Sequence, residues 1–363
     1  VVIGNDPDRL RNIGRVPDAV GKLPRSGSVN TTLEERVLRS RLRRITSLWG
    51  NDEVVACYKA LYAREFRRLF GISRFDAVMD SEGYNAFWSS VLSCAPAGAA
   101  GLKTVYQHSD KVAEWKTKYP QLETMFHLYR FYDRIISVSK MTMENNIAGL
   151  CGAFRLPASK FDHVENMLDP AEIRAKAGEG IDPAEEKTLF GSAGPVFMTV
   201  GRLSIEKDHD KLIRAFASVR KSRSSAKLLV VGDGPLMPDL QRLVADFRLA
   251  GSVFLTGYRG NPFPYLAKAD CFVLSSNHEG QPMVLLEAMV LNKPILSTDI
   301  IGARGVLEGR SGHMVENSVE GLAGGMLDFI AGKITAKPVD MEAYQRAALG
   351  AFYQKACGFD GMS

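Results

Sequence analysis

Between Pro195 and Thr298 the chain passes through five short apolar segments, each too short for an independent helix and each closed by glycine or a polar turn. They are Pro195–Gly201, Lys227–Gly232, Val253–Gly257, Asp270–Ser275 and Lys293–Thr298. None shows the apolar–polar alternation of a half-exposed strand. Helical patterns such as Leu212–Val219 lie between them. Apolar runs of this kind suit strands covered on both faces, and the alternation with helices predicts a parallel sheet flanked by helices. Ligands of such sheets dock outside the C-terminal strand ends. Gly201, Arg202, Gly232, Gly257 and Glu279 all fall at such ends, so they are expected to converge on one crevice.

The segment Glu279-Gly-Gln-Pro-Met-Val-Leu-Leu-Glu287 refines this expectation. A strand runs into a Gly/Pro turn that carries one carboxylate, and an apolar helix carries a second. Backbone N–H groups at the start of a helix, with its dipole, attract an anion. If the helix begins just after Glu279, Glu287 lies about two turns, roughly 12 Å, along it. One ligand touching both acids is then long, with a sugar at one end and a ribose at the other, the shape of a nucleotide sugar. The competing reading is a loop acid and a helix acid at chance spacing.

Four motifs now stand in order: Gly201-Arg-Leu-Ser-Ile-Glu-Lys-Asp208, Gly232-Asp-Gly-Pro235, Gly257-Tyr258 and Glu279 to Met289. Together they resemble the donor half of retaining glycosyltransferases of family 4, the group 1 enzymes of GT-B fold. The resemblance is strong over about residues 195 to 325. It implies an α/β chain with two Rossmann-like domains facing a central cleft. It further implies donor contacts from Gly201, Arg202, Lys207, Gly232, Gly257, Tyr258, Glu279, Gly280, Gln281, Pro282, Met283, Val284 and Glu287.

Residues 1 to about 165 carry a second series of strand signals, at Val1–Ile3, Phe75–Met79, Lys103–Gln107, Asp133–Val138 and Phe161–Val164. The expected organisation is an acceptor-binding domain over 1–174 and a linker over 175–194. A donor-binding domain over 195–335 follows, and then a helix over 336–363 that returns toward the first domain. No Gly-rich loop of the family's kind adjoins Val1–Gly4, so the chain is expected to be a fragment truncated at its start. Segments such as Arg64–Gly71, Phe75–Tyr84, Gln107–Asp110 and Tyr129–Ser139 resemble the subset acting on cell-envelope polymers. The implied acceptor is a glycan, lipid-linked or polyol-phosphate (teichoic-acid-like) molecule. His108 directly follows a strand; in the family a histidine so placed hydrogen-bonds the donor sugar or the acceptor region.

The five cysteines are scattered and have no C-x-x-C spacing, which excludes zinc and redox motifs and fits a reducing cytoplasm. No apolar run approaches the ~18 residues of a spanning helix. Arginines 36, 39, 41, 43 and 44 alternate with Val37, Leu38, Leu42 and Ile45. Such a helix is either a solvated face or a peripheral contact with anionic membrane or a polyanionic acceptor, Leu38, Leu42 and Ile45 inserting. The basic segments match no DNA or RNA module, so nucleic acid is not an expected partner.

The expected reaction moves a sugar from a nucleoside diphosphate donor, a UDP-sugar foremost, with retention at the anomeric carbon. No Asp-x-Asp site and no cofactor motif is present, so neither metal nor cofactor is expected. Arg202 and Lys207 would offset the leaving diphosphate. Glu287 would accept from the ribose hydroxyls, Glu279 would orient the sugar, and His108 completes the expected catalytic set. An epimerase of the same fold needs acid–base groups from both halves, and His108 is the one candidate. A non-catalytic nucleotide- or glycan-binding relative is the other alternative. A dinucleotide oxidoreductase is excluded by the absence of a G-x-G-x-x-G turn after any strand.

Overall fold

The computed structural model describes residues 2–3, 23–24, 29–191 and 193–359. Val1, the first residue of the expected strand Val1–Ile3, and Gly4 after it lie outside the described residues. Strand β1, Val2–Ile3, pairs in parallel with β2, Leu23–Pro24. The chain divides into two compact units, residues 1–73 with 94–99 and residues 74–93 with 100–363.

The larger unit holds both large sheets, and every pairing in them is parallel. Strands β7 (Val196–Val200), β8 (Lys227–Val231), β9 (Val253–Leu255), β10 (Cys271–Leu274), β11 (Ile295–Thr298) and β12 (His313–Val315) lie in the order β12-β11-β10-β7-β8-β9. This is the doubly wound order. The chain direction across the sheet reverses between β7 and β10, which opens a crevice outside their C-terminal ends.

Successive side chains point to opposite faces of a strand, and both faces here are core. Phe197, Leu228, Val230, Cys271 and Val273 pack beneath helices His209–Ser222 and Val319–Ile330. Their neighbours Val196, Met198, Leu229, Val231, Phe272 and Leu274 pack on the other side, with helices Met283–Val290 and Ile301–Leu307. That two-sided burial is why these strands read as continuous apolar runs. Strand β12 gave no such signal, because His313 and Met314 are exposed on the sheet edge.

The second sheet runs β3 (Phe75–Asp80), β4 (Ala100–Gln107), β5 (Arg134–Ser137) and β6 (Phe161–His163) in sequence order. Within 175–194 the chain is largely helical. Helices Pro170–Ala177 and Pro183–Phe190 each start with proline behind an aspartate cap, and Ile181 and Leu189 enter the core. Helix Met341–Ala351 buries Met341, Tyr344 and Ala348 against the six-stranded side. The π-helical turn Phe352–Cys357 then lies against the four-stranded sheet, where Thr104 Oγ1 donates to the Ala356 carbonyl at 2.8 Å.

In the smaller unit, helix Leu33–Arg44 carries a capping box between Thr32 and Glu35. Arg64, from helix Asp52–Phe70, grips Glu35 with two bonds of 2.7 and 2.9 Å. Of the apolar residues expected to face outward, Leu42 is instead buried at 1% exposure and Leu38 is half-buried. The helix turns these two inward; Leu33, Val37 and Ile45 are the exposed ones.

Candidate functional site

The loops after β7 and β10 meet at the crevice between those strands. Lys207, on the loop leaving β7, forms an ion pair with Glu279, on the loop leaving β10. Ser276 Oγ donates to the same carboxylate oxygen, Oε1, at 2.7 Å. Both contacts fall on Oε1, so Oε2 is left without a partner among the described residues. Ser275 Oγ donates to the Lys207 carbonyl at 2.8 Å, and Thr298 Oγ1 donates to the Ser276 carbonyl at 2.7 Å. Hydroxyls at the ends of two strands thus fix the backbone that carries the pair.

Glycine is required where these loops touch. The Gly201 N–H donates to the Val231 carbonyl at 3.0 Å, and the Gly232 N–H donates to that of Gly257 at 2.9 Å. Gly232 has φ +145°, and a Cβ there would stand 1.9 Å from the Gly201 carbonyl oxygen. A Cβ on Gly280 would stand 1.8 Å from the His108 carbonyl oxygen. The Gly280 turn therefore rests directly on the strand-end turn of the other sheet.

Helix Met283–Val290 starts later than the sequence suggested, after Pro282, and has no side-chain cap. The Leu285 N–H donates back to the Pro282 carbonyl at 3.0 Å, which leaves the N–H groups of Met283 and Val284 for another acceptor. Glu287 is therefore four residues into the helix, about 6 Å rather than 12 Å along it. Its carboxylate is half-buried, makes no hydrogen bond or ion pair with any described residue, and is pushed above its ordinary pKa by burial. An acceptor group held this way lacks donors.

The remaining expected residues divide. Arg202 is exposed, and its guanidinium has no partner among the described residues. Tyr258 is also exposed, at 70%. Met283 and Val284 pack against the core. Gln281 is turned inward: its Oε1 accepts from the Asn166 N–H at 2.6 Å, and its Nε2 donates to the Tyr344 hydroxyl at 3.3 Å. Gln281 therefore braces the turn against helix Met341–Ala351. The His108 ring stacks on Tyr106 at 5.0 Å, with Nε2 2.7 Å from the Ser81 carbonyl.

Sequence reading missed Lys211 and Gly302. The buried Lys211 ammonium binds Asn277 at 2.6 Å, Asp208 at 3.2 Å and Asn317, tying the loop after β7 to the loop after β10. A Cβ on Gly302 would be 2.4 Å from the Glu279 carbonyl oxygen. A glycine soon after the β11 run was a readable signal; the Lys211 partners, far apart in sequence, were not. Among the described residues no group of three or more His, Cys, Asp or Glu could hold a metal ion.

Residues 194–331 match the family model of glycosyl transferases group 1. This segment belongs to that family. An uncharacterized glycosyltransferase of Methanocaldococcus jannaschii is 31% identical over 171 residues, 47% of this chain and 42% of that protein. A Campylobacter jejuni enzyme is 31% identical over 172 residues, 47% of this chain and 43% of that protein. Its name is N-acetylgalactosamine-N,N'-diacetylbacillosaminyl-diphospho-undecaprenol 4-alpha-N-acetylgalactosaminyltransferase. The matched part spans under half the length of either relative. The crystal structure of Anabaena HepE with UDP and glucose superposes over 99% of this chain and 88% of its own, with TM-score 0.64 and 17% identity. The fold is GT-B, and the group 1 segment carries the crevice with Lys207, Glu279 and Glu287.

Proposed function

We propose that the chain is a retaining glycosyltransferase that moves a sugar from a nucleoside diphosphate donor, a UDP-sugar foremost, to a cell-envelope glycan or lipid-linked acceptor. One observation carries this reading: Lys207 and Glu279 pair across the crevice while Glu287 waits nearby without donors. Glu287 accepts from the two ribose hydroxyls. The uncapped start of helix Met283–Val290 and the free Arg202 fork receive the diphosphate. Glu279, held through Oε1, turns Oε2 toward the sugar. As the glycosidic bond breaks, charge grows on the leaving diphosphate, where Arg202 and Lys207 offset it. The diphospho-undecaprenol in the Campylobacter relative's name supports a lipid-linked acceptor, and the scattered free cysteines are in keeping with action in the cytoplasm.

Calorimetry of the full chain with UDP, GDP and their hexose conjugates tests the donor site. Binding of a UDP species is expected, abolished by Lys207→Met with Glu287→Ala. No binding of any nucleoside diphosphate refutes the assignment. The anomeric configuration of the product, read by NMR, tests retention.

Contact with anionic membrane is proposed through the exposed Leu33, Val37 and Ile45 beside Arg41 and Arg44. Replacing Arg36, Arg41, Arg43 and Arg44 by Gln should abolish co-sedimentation with anionic vesicles, as should ~0.5 M salt. Unchanged sedimentation counts against it.

A further inference from the structure

The turns after β3 and β4 carry a polar and aromatic cluster that the donor site does not use. Lys111 is fully buried, and its ammonium sits 3.3 Å from the centroid of the Tyr84 ring. The same ammonium lies 3.3 Å from Glu114 Oε2. The Tyr84 hydroxyl donates to that oxygen at 2.5 Å and lies 3.2 Å from Ser109 Oγ. Burial lowers the Lys111 pKa to about 8, against the opposing pull of Glu114, Asp80 and Glu82. It remains mostly cationic at neutral pH and holds the ring from beneath.

The turn is fixed from below as well. Gly83 has φ +66°, and its N–H donates to Asp80 Oδ1 at 2.9 Å. The Ser81 carbonyl meets the His108 ring at 2.7 Å, and Tyr119 meets the Tyr84 ring edge-on at 5.8 Å. Lys111 covers one face of Tyr84, yet the residue is 41% exposed. With Lys111 over one face, the ring has only its other face to offer a ligand. This ledge adjoins His108, whose carbonyl the Gly280 turn touches.

The charges beside the ledge favour one kind of occupant. Glu82 and Glu114 are acidic. Lys111 is enclosed, and Lys118 is taken by Glu206 of the loop after β7. Lys116 lies about 200° around the helix from Glu114. No free cation among the described residues of this cluster is placed to receive a phosphate. Resting on the glycosyltransferase reading, we propose that Tyr84, braced by Lys111 and Glu114, is the acceptor platform, and that it takes an uncharged, hydroxyl-rich sugar ring in preference to a polyol phosphate. The ring's C–H face would lie on Tyr84, and a hydroxyl would donate to Glu114.

The test uses the full chain, with p-nitrophenyl hexosides and N-acetylhexosaminides as neutral probes and tri(glycerol phosphate) as the anionic one. Saturation-transfer NMR should show a neutral probe binding. Tyr84→Leu, which still covers Lys111 but lacks a planar face, should weaken it about ten-fold; Tyr84→Phe should change it about two- to three-fold. The affinity for UDP should be unchanged in both. If Tyr84→Leu does not fold, Tyr84→Trp serves: the neutral probe should shift its fluorescence relative to wild type. Three results overturn the proposal: no neutral probe binds; binding is indifferent to Tyr84; or tri(glycerol phosphate) binds more tightly. Failure of UDP to bind the wild type would refute the donor assignment instead, and the sugar measurement would stand apart from it.

Discussion

Replacing Glu287 by glutamine should stabilise the free protein and weaken nucleotide binding, two effects of opposite sign from one oxygen. The carboxylate is held in a half-buried place with no donor among the described residues, and burial raises its pKa above the ordinary range of a glutamate. An acid raised in this way binds its proton more tightly folded than unfolded. Its cost to stability is absent below the unfolded pKa and grows as pH rises through the folded pKa. Glu287→Gln should therefore raise the melting temperature at pH 7.5 and have no effect near pH 4. In the proposed complex the ribose hydroxyls would supply the missing donors. Glutamine keeps one acceptor oxygen and loses the charge, so about one charged hydrogen bond, ~1.5–3 kcal/mol, should be lost. That is about a ten- to hundred-fold rise in Kd for UDP. Scanning calorimetry at the two pH values, with and without UDP, reads both effects. A melting temperature lowered equally at both pH values, or an unchanged Kd, refutes the reasoning.

Arg202→Ala should lower turnover on the order of 10²–10³-fold, as for loss of one preorganised donor. The wild type should keep its activity in excess EDTA, and loss restored by Mg²⁺ or Mn²⁺ would reassign the charge-offsetting role to a metal. Gly232→Ala should abolish UDP binding and lower the melting temperature, because its Cβ would fall 1.9 Å from the Gly201 carbonyl oxygen. Gly257→Ala is the control: at φ +72° with nothing within 4 Å, it should cost only the left-handed strain, about 1–2 kcal/mol. Equal effects of the two alanines on the thermal melt would show that loop contact is not what Gly232 serves.

The sequence by itself determined the parallel sheet, the strand ends and the glycine positions. Those features are local: a strand buried on both faces must be apolar throughout, and a backbone touching another backbone must lack a Cβ. For the same reason the edge strand β12 was invisible, since an exposed His313 and Met314 need not be apolar. Pro183 falls in the expected linker over 175–194 yet starts helix Pro183–Phe190, because proline suits a first helical turn. What only the tertiary structure decided is which groups are already occupied. Lys207 is paired, Gln281 faces inward, Leu42 is core, and Lys111 lies under an aromatic ring. Motif spacing names residues at a crevice. Whether a charge there has a partner depends on chains brought together from distant sequence, such as Lys207 with Glu279 or Tyr84 with Glu114. Arg202 and Glu287 have no partner among the described residues, and it is there that we propose a ligand supplies one.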